Sequence, residues 1–431
     1  MKLWQKSTYT VNEKVDKFTV GKDRELDILL APYDVKGSMA HATMLAEVGL
    51  LTEEDKNTLL KGLQEIYEEI EKGDFVIEDG VEDVHSQVEM LLTQRYGDVG
   101  KRLHSGRSRN DQVLLDLKLY LRDAIKNVAA NTKDLFDTLI KKSDEFKDYL
   151  MPGYTHMQVA MPSSFGLWLG AYAESLVDDM VMLKAAYDIT DRNPLGSAAG
   201  YGSSFPLNRT RTTELMDFQS MAVNVVYAQM GRGKTEYHVA NAMASVAATV
   251  AKLSMDGCMY AGGNFGFIKF PNEFTTGSSI MPHKKNPDVL ELTRARCNQI
   301  TSLPTQIMAV LSNLPVGYHR DLQQIKEMLL PAFEMLNDCL EMTKLMFEKM
   351  EPTKDLLEAP IYDYLFSVEE VNKLVLQGIP FREAYVIVGE GIEKGEYNPE
   401  RSVNHNHEGS IGNLGNDIIK KRMEATYSFE D

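Results

Sequence analysis

Only three cysteines, Cys258, Cys297 and Cys339, occur in 431 residues, an odd number spread far apart. That excludes a disulfide framework and a paired-cysteine metal knuckle, and it suits a reducing compartment. Long hydrophobic runs are missing too. The most apolar stretch, residues 239–260, is interrupted by Asn241, Lys252 and Asp256, and its small side chains make it a poor membrane span. The first ten residues hold no apolar core of a signal peptide, so the expected location is the cytoplasm. Positive charge is in deficit: 46 Lys and Arg stand against 63 Asp and Glu, a net charge of −17. So acidic a chain repels phosphate backbones and anionic lipid, which argues against nucleic acid or membrane as a partner. Period-two alternation is scarce as well, the best run being residues 223–228, so a β-rich architecture has little support.

The contents are those of a globular protein, 43% hydrophobic and 25% charged. Glycine and proline are absent from residues 108–151, where Val113, Leu117, Leu121, Ile125, Val128, Leu135 and Leu139 recur near helical spacing. The expectation is one helix of some forty residues, or two joined by a kink. Ser108 and Asp111 have the capping-box form that starts such a helix. The same absence of breakers predicts helices over 171–193, 210–230, 235–256 and 288–303. Ala240, Ala244, Ala247, Ala248 and Ala251 form a small-residue stripe that lets helices approach closely, within the chain or between chains. An all-α protein follows. Residues 1–105 and 353–431 are broken into shorter segments, so they read as small helical domains flanking a central long-helix bundle at 106–352.

Four segments concentrate polar chemistry. Residues 101–111 are a basic island whose free amides at a helix start suit a carboxylate; the bland reading is a capped helix with solvated arginines. His156, in a glycine-containing turn, suits proton transfer near neutral pH, although most loop histidines only hydrogen-bond. In residues 275–288, Asn286 suits a helix N-cap, Pro287 the first helical position and Asp288 the positive helix end. That leaves Ser278, Ser279, Lys284 and Lys285 without a structural reason, and such a loop could close over an anionic substrate. In residues 318–326, Gln323 and Lys326 share a helical face and could reach one ligand.

Taken together, these segments resemble the fumarase/aspartase superfamily and, within it, the argininosuccinate lyases. Residues 277–287, Gly-Ser-Ser-Ile-Met-Pro-His-Lys-Lys-Asn-Pro, are similar to the superfamily's serine-loop signature. Residues 105–112 and 153–158 resemble the two upstream motifs. Similarity continues through Leu26 to Ala40, Glu82-Asp83-Val84-His85, Tyr318 to Lys326 and residues 378–384. The resemblance implies a three-domain all-α fold and a homotetramer with a twenty-helix core. Each active site would be shared between three chains, and argininosuccinate would be cleaved reversibly to arginine and fumarate without a cofactor or metal. Carried over by position, Ser278 is the base, His156 the acid oriented by Glu291, and Lys284 stabilises developing charge. Ser108, Asn110, Thr155, Lys284 and Asn286 meet the succinyl carboxylates. Tyr318, Gln323 and Lys326 meet the arginine half, and Arg109, His85, Arg232, Thr19 and Asp23 complete the substrate contacts. The chain departs from the family pattern at Trp4-Gln5-Lys6-Ser7-Thr8, at Met230-Gly231-Arg232-Gly233-Lys234, at Gln324-Ile325 and in the tail from Asn404.

Three competing readings have weaker support. Residues 228–235 fit a relaxed phosphate-loop pattern, but no alternating strand–helix context surrounds them. His405-Asn406-His407-Glu408 could ligate a metal, yet its Gly and Asn neighbours suit a solvated loop. Adenylosuccinate lyase also releases fumarate, whereas Ser-Gly-Arg-Ser-Arg-Asn-Asp at 105–111 favours the argininosuccinate form.

Overall fold

The computed structural model describes residues 12–429, and the departure at Trp4-Gln5-Lys6-Ser7-Thr8 lies outside them. Helices α1 (Ala31–Glu47), α2 (Glu53–Lys72) and α3 (Val84–Tyr96) pack around a core of their own that includes Leu45, Leu59, Ile66 and Leu92. The bundle consists of α4 (Arg109–Glu145), α5 (Phe165–Thr190), α6 (Lys234–Ala261), α7 (Asp288–Thr301), α8 (Leu303–Leu311) and α9 (Gln324–Lys349). Its core is the larger one, joining Leu121, Leu135, Leu176, Met243, Leu290 and Phe347. Helices α10 (Ser367–Leu376) and α11 (Phe381–Glu393) pack on each other. Helix α12 (Asn416–Thr426) returns to the bundle, where Asn416 donates to Ser143 and Arg422 pairs with Glu174. Strands are confined to two-stranded pairs, the longest being the antiparallel β1 (Leu150–Thr155) and β2 (Gln158–Ser164). The all-α expectation is met.

Helix α4 is continuous over 37 residues. The Ser108 hydroxyl accepts the Asn110 amide at 3.2 Å, and Asp111 accepts the Ser108 amide at 2.8 Å, so the expected capping box is formed. At the usual helical rise those 37 residues span roughly 55 Å. Helix α5 begins six residues earlier than the breakers suggested, at Phe165, and carries Gly166 inside it. A Cβ there would lie 2.7 Å from the Lys147 Cα, so a glycine lets the chain leaving α4 pass. Helix α9 likewise continues through Pro331.

Residues 210–230 do not form the expected single helix. They divide into Arg209–Leu215, the strand Ser220–Met221 and Val225–Met230. Asp217 takes a left-handed φ of 53°, and Asn224 starts the second helix by accepting the amides of Val226 and Tyr227. Lack of glycine and proline removes obstacles to a helix without supplying a reason for one. Asn286 is also not an N-cap. It pairs with Thr276 while Lys285 pairs with Gly277, and Pro287 is the cap of α7.

The bundle has two distinguishable ends. Helices α4, α6 and α9 all begin at one of them, where Arg232, just ahead of α6, bonds Gln323, just ahead of α9. At the other, Tyr154 of β1 stacks on Phe267 beyond α6, and Leu290 at the start of α7 meets Gly257 near the end of α6.

Candidate active site

At the first end a cavity of about 490 Å³ opens between the start of α4, the segment before α9 and the N-terminal helices. Ser108, Arg109, Asn110, Tyr318, Gln323, Lys326, His85 and Asp23 line it, together with Asp27, Glu82, Asp83, His104, Val113 and Arg320. Eight sequence-selected residues therefore share one wall. Thr19 sits at the rim, its carbonyl accepting from Arg320 at 2.5 Å. Arg232, expected to meet the substrate, does not line the cavity; it is buried behind Gln323.

Charge in the cavity is closely paired. The buried Lys326 ammonium bonds Asp23 and Asp27, each at 2.7 Å. Burial alone would lower the Lys326 pKa, but the charges of Asp27 and Asp23 outweigh it and raise it. Burial drives Asp27 above the usual carboxylate range despite its lysine partner. Arg109 bonds Glu82 and Asp83, and Arg320 bonds Glu82 at 3.1 Å. Burial opposes ionisation of Asp83, yet His85 and Arg109 together hold its pKa below the ordinary value. Paired cations and anions beside hydroxyl and amide groups suit a zwitterionic ligand better than a purely anionic one.

The other sequence-selected residues lie at the opposite end. Thr155 and His156 are exposed at the β1–β2 turn, where His156 and Met157 both have left-handed φ, 54° and 61°. Two non-glycine residues in that region make a strained tip, the kind of strain found at functional sites. The serine loop is tied at its base by the Thr276–Gly277 and Lys285–Asn286 ladder. Within it the half-buried Ser278 Oγ accepts the backbone amides of Ile280 at 3.4 Å and Met281 at 3.1 Å. Lys284 and Glu291 are exposed, and Asn286 donates weakly to the Gly277 carbonyl at 3.4 Å. One chain thus carries its sequence-selected residues in two groups at opposite ends of the bundle.

A family model described as lyase matches residues 9–302. An argininosuccinate lyase of Bacteroides fragilis (strain YCH46) is 61% identical over 425 residues, 99% of this chain and 95% of that one. The chain belongs to the argininosuccinate lyase family. A second family member, from Parabacteroides distasonis, is also 61% identical, over 100% of this chain and 97% of its own. Among solved structures, EDDS lyase in complex with formate superposes with a TM-score of 0.77 at 22% identity, covering 98% of this chain and 90% of that chain. At that identity the likeness is one of fold.

Five titratable cavity residues of this argininosuccinate lyase family member are not marked as site residues by the sequence: Asp27, Glu82, Asp83, Arg320 and His104, the last within the basic island at 101–111. The other four lie in segments that resemble the family, Asp27 in Leu26 to Ala40, Glu82 and Asp83 beside His85, and Arg320 between Tyr318 and Lys326. His85 itself points its Nδ1 away from solvent toward Asp34, at 2.7 Å, and Asp116, at 3.5 Å. These three have ligand-like spacing, within 4.8 Å of one another. Burial alone would lower the His85 pKa, but Asp34 and Asp116 raise it to about 9, favouring the protonated ring between the two carboxylates. The folded state holds that proton more tightly than the unfolded chain. Its contribution to stability is therefore complete below the ordinary pKa of 6.5 and is lost as pH rises through about 9. Urea unfolding should show the wild type losing stability over that window, and His85→Gln should be less stable below it and converge on the wild type above it. Parallel pH profiles for the two proteins would refute the charged assignment.

The tail histidine His405 pairs with Glu369 at 2.8 Å. Among the described residues no helix is long and apolar enough to cross a membrane.

Proposed function

We propose that the protein is a carbon–nitrogen lyase that cleaves argininosuccinate reversibly to L-arginine and fumarate, acting in the cytoplasm in arginine biosynthesis. The observation that carries this is 61% identity to an argininosuccinate lyase across 99% of the chain. The geometry supplies the parts. The zwitterionic end of the arginine half suits the cavity with its paired charges, its carboxylate facing Tyr318, Gln323 and Lys326, with Asp23 and Thr19 beside it. Ser108 and Asn110, at the start of α4, face the succinyl half, which Thr155, Lys284 and Asn286 bind from the other side.

Ser278 is the base. Two backbone amides directed at its Oγ favour the alkoxide over the hydroxyl, which an isolated serine could not sustain. The alkoxide takes a proton from the succinyl methylene, and the C–H electron pair moves into the adjacent carboxylate, where Lys284 offsets the added charge. The pair then returns to form the fumarate double bond as the C–N bond breaks. His156, oriented by Glu291, protonates the departing nitrogen. Every step uses a base, an acid or a carboxylate-binding group supplied by side chains and backbone, so the reading invokes no cofactor or metal.

No single chain brings Ser108 and His156 together, since α4 separates them by roughly 55 Å. A homotetramer whose long helices form a shared twenty-helix core would assemble each site from three chains. Apolar side chains left exposed on the long helices, among them Met182, Met255, Leu292 and Met308, support that burial. The test is fumarate release, followed by ultraviolet absorbance after chelator treatment, with argininosuccinate and adenylosuccinate supplied in parallel. Turnover of argininosuccinate alone is expected; turnover of only the adenylo-substrate, or strict metal dependence, would overturn the reading.

A further inference from the structure

Arg232 is only 3% exposed, yet its Nε and Nη1 have no hydrogen-bond partner among the described residues. Leaving buried donors unsatisfied costs free energy, so simple space-filling does not explain an arginine here. Its remaining nitrogen does have a partner: Nη2 donates to the Gln323 Oε1 at 2.9 Å. A guanidinium can only donate, so this contact fixes which end of the Gln323 amide is oxygen. The Gln323 Nε2 then faces the Tyr318 hydroxyl and donates to it at 3.2 Å. With that lone pair taken, the hydroxyl's own proton is free to point elsewhere, and both Tyr318 and Gln323 line the cavity. The guanidinium also lies 5.5 Å from the centre of the Tyr318 ring, which holds the ring in place.

We infer that Arg232 is a positioning residue that sets the direction of the chain Arg232 to Gln323 to Tyr318, so that this wall offers donors to the carboxylate of the arginine half. Without the guanidinium the Gln323 amide is free to turn its oxygen toward the cavity, setting an acceptor against a carboxylate. Because the carboxylate takes no part in bond making or breaking, the interaction is equal in ground and transition states and shows in KM more than in kcat. The inference rests on the lyase reading for the identity of the ligand.

The experiment compares binding of L-arginine with binding of agmatine, which is arginine without its carboxylate, by calorimetry on the intact oligomer. Arg232→Met should weaken L-arginine about tenfold and agmatine less than about twofold, with KM for argininosuccinate rising about tenfold while kcat moves far less. Arg232→Lys, which retains a donor, should recover part of the loss. In a Gln323→Leu background the Arg232→Met change should cost little more, since the amide that the arginine orients is already gone. Equal losses for both ligands, additive effects in the double variant, or unchanged L-arginine affinity would each overturn the inference. Should Arg232→Met fail to fold, Gln323→Glu retains a partner for the arginine but cannot donate to Tyr318. It should show the same carboxylate-specific loss, and wild-type L-arginine affinity in that variant would refute the chain. A wild-type protein that neither binds L-arginine nor cleaves argininosuccinate would instead overturn the lyase reading, and this inference with it.

Discussion

Ser278→Ala is expected to lower kcat by about a thousandfold or more while leaving the fold intact. Both halves of that expectation follow from where the residue sits. Its Oγ accepts two amides from its own loop, at 3.4 and 3.1 Å, and the side chain makes no contribution to either large core. Losing it leaves two amides in a half-exposed loop that water can satisfy, so the thermal midpoint should move by no more than about 2 °C. The chemical step, by contrast, loses the atom that takes the proton. A neutral hydroxyl also adds little to ground-state affinity, so the substrate dissociation constant should hold. Lys284→Ala should behave differently, weakening substrate binding as well as turnover, because a cation facing a carboxylate acts in both states. Single-turnover rates and dissociation constants for the two variants separate these roles. Near-normal chemistry in Ser278→Ala would place the base elsewhere.

The long helices were legible because their signals are local. Periodic apolar residues and a capping box at Ser108 and Asp111 act within a few residues of one another, and both behaved as their spacing predicts. The failures have tertiary causes. Gly166 is tolerated inside α5 because the chain leaving α4 passes against it, and Pro331 sits within α9, whose flanks pack on the rest of the bundle. Residues 210–230 lack breakers, but the first helix ends at Leu215, just before Asp217 with its left-handed φ, and the Asn224 side chain starts the second. At the site, the serine loop and the histidine turn could be read from motif alone. The charge pairing in the cavity could not, because Asp27 meets Lys326 and Glu82 meets Arg320 only when segments 299 and 238 residues apart in sequence come together. The placement of Arg232 behind Gln323 is of the same kind. Its residue type was visible, but its action through a neighbour depends on a direction of hydrogen bonding that sequence does not encode locally.

The proposed sharing of each site between chains has a test with an arithmetic outcome. Asn110 lines the cavity at the start of α4, while Ser278 lies in the loop near the far end of α6. Asn110→Asp places a carboxylate where, on the proposed reading, the succinyl carboxylates bind, which should reduce activity by at least about a hundredfold through like-charge repulsion. The fold should tolerate it, since an acid in the first helical turn is favourable to the helix. Ser278→Ala should be inactive for a separate reason, the loss of the proposed base. Each variant alone has no intact site. If the two residues of one site come from different chains, co-expressed or unfolded-and-remixed chains in equal amounts should form tetramers in which about a quarter of the sites draw an intact serine from one chain and an intact asparagine from another. Mixed activity should then reach about a quarter of wild type, far above either parent. If each site were built within one chain, every site would carry one defect and no mixture would recover. With an active wild type, mixed tetramers verified by mass whose activity is no higher than the parents' would therefore refute the shared site.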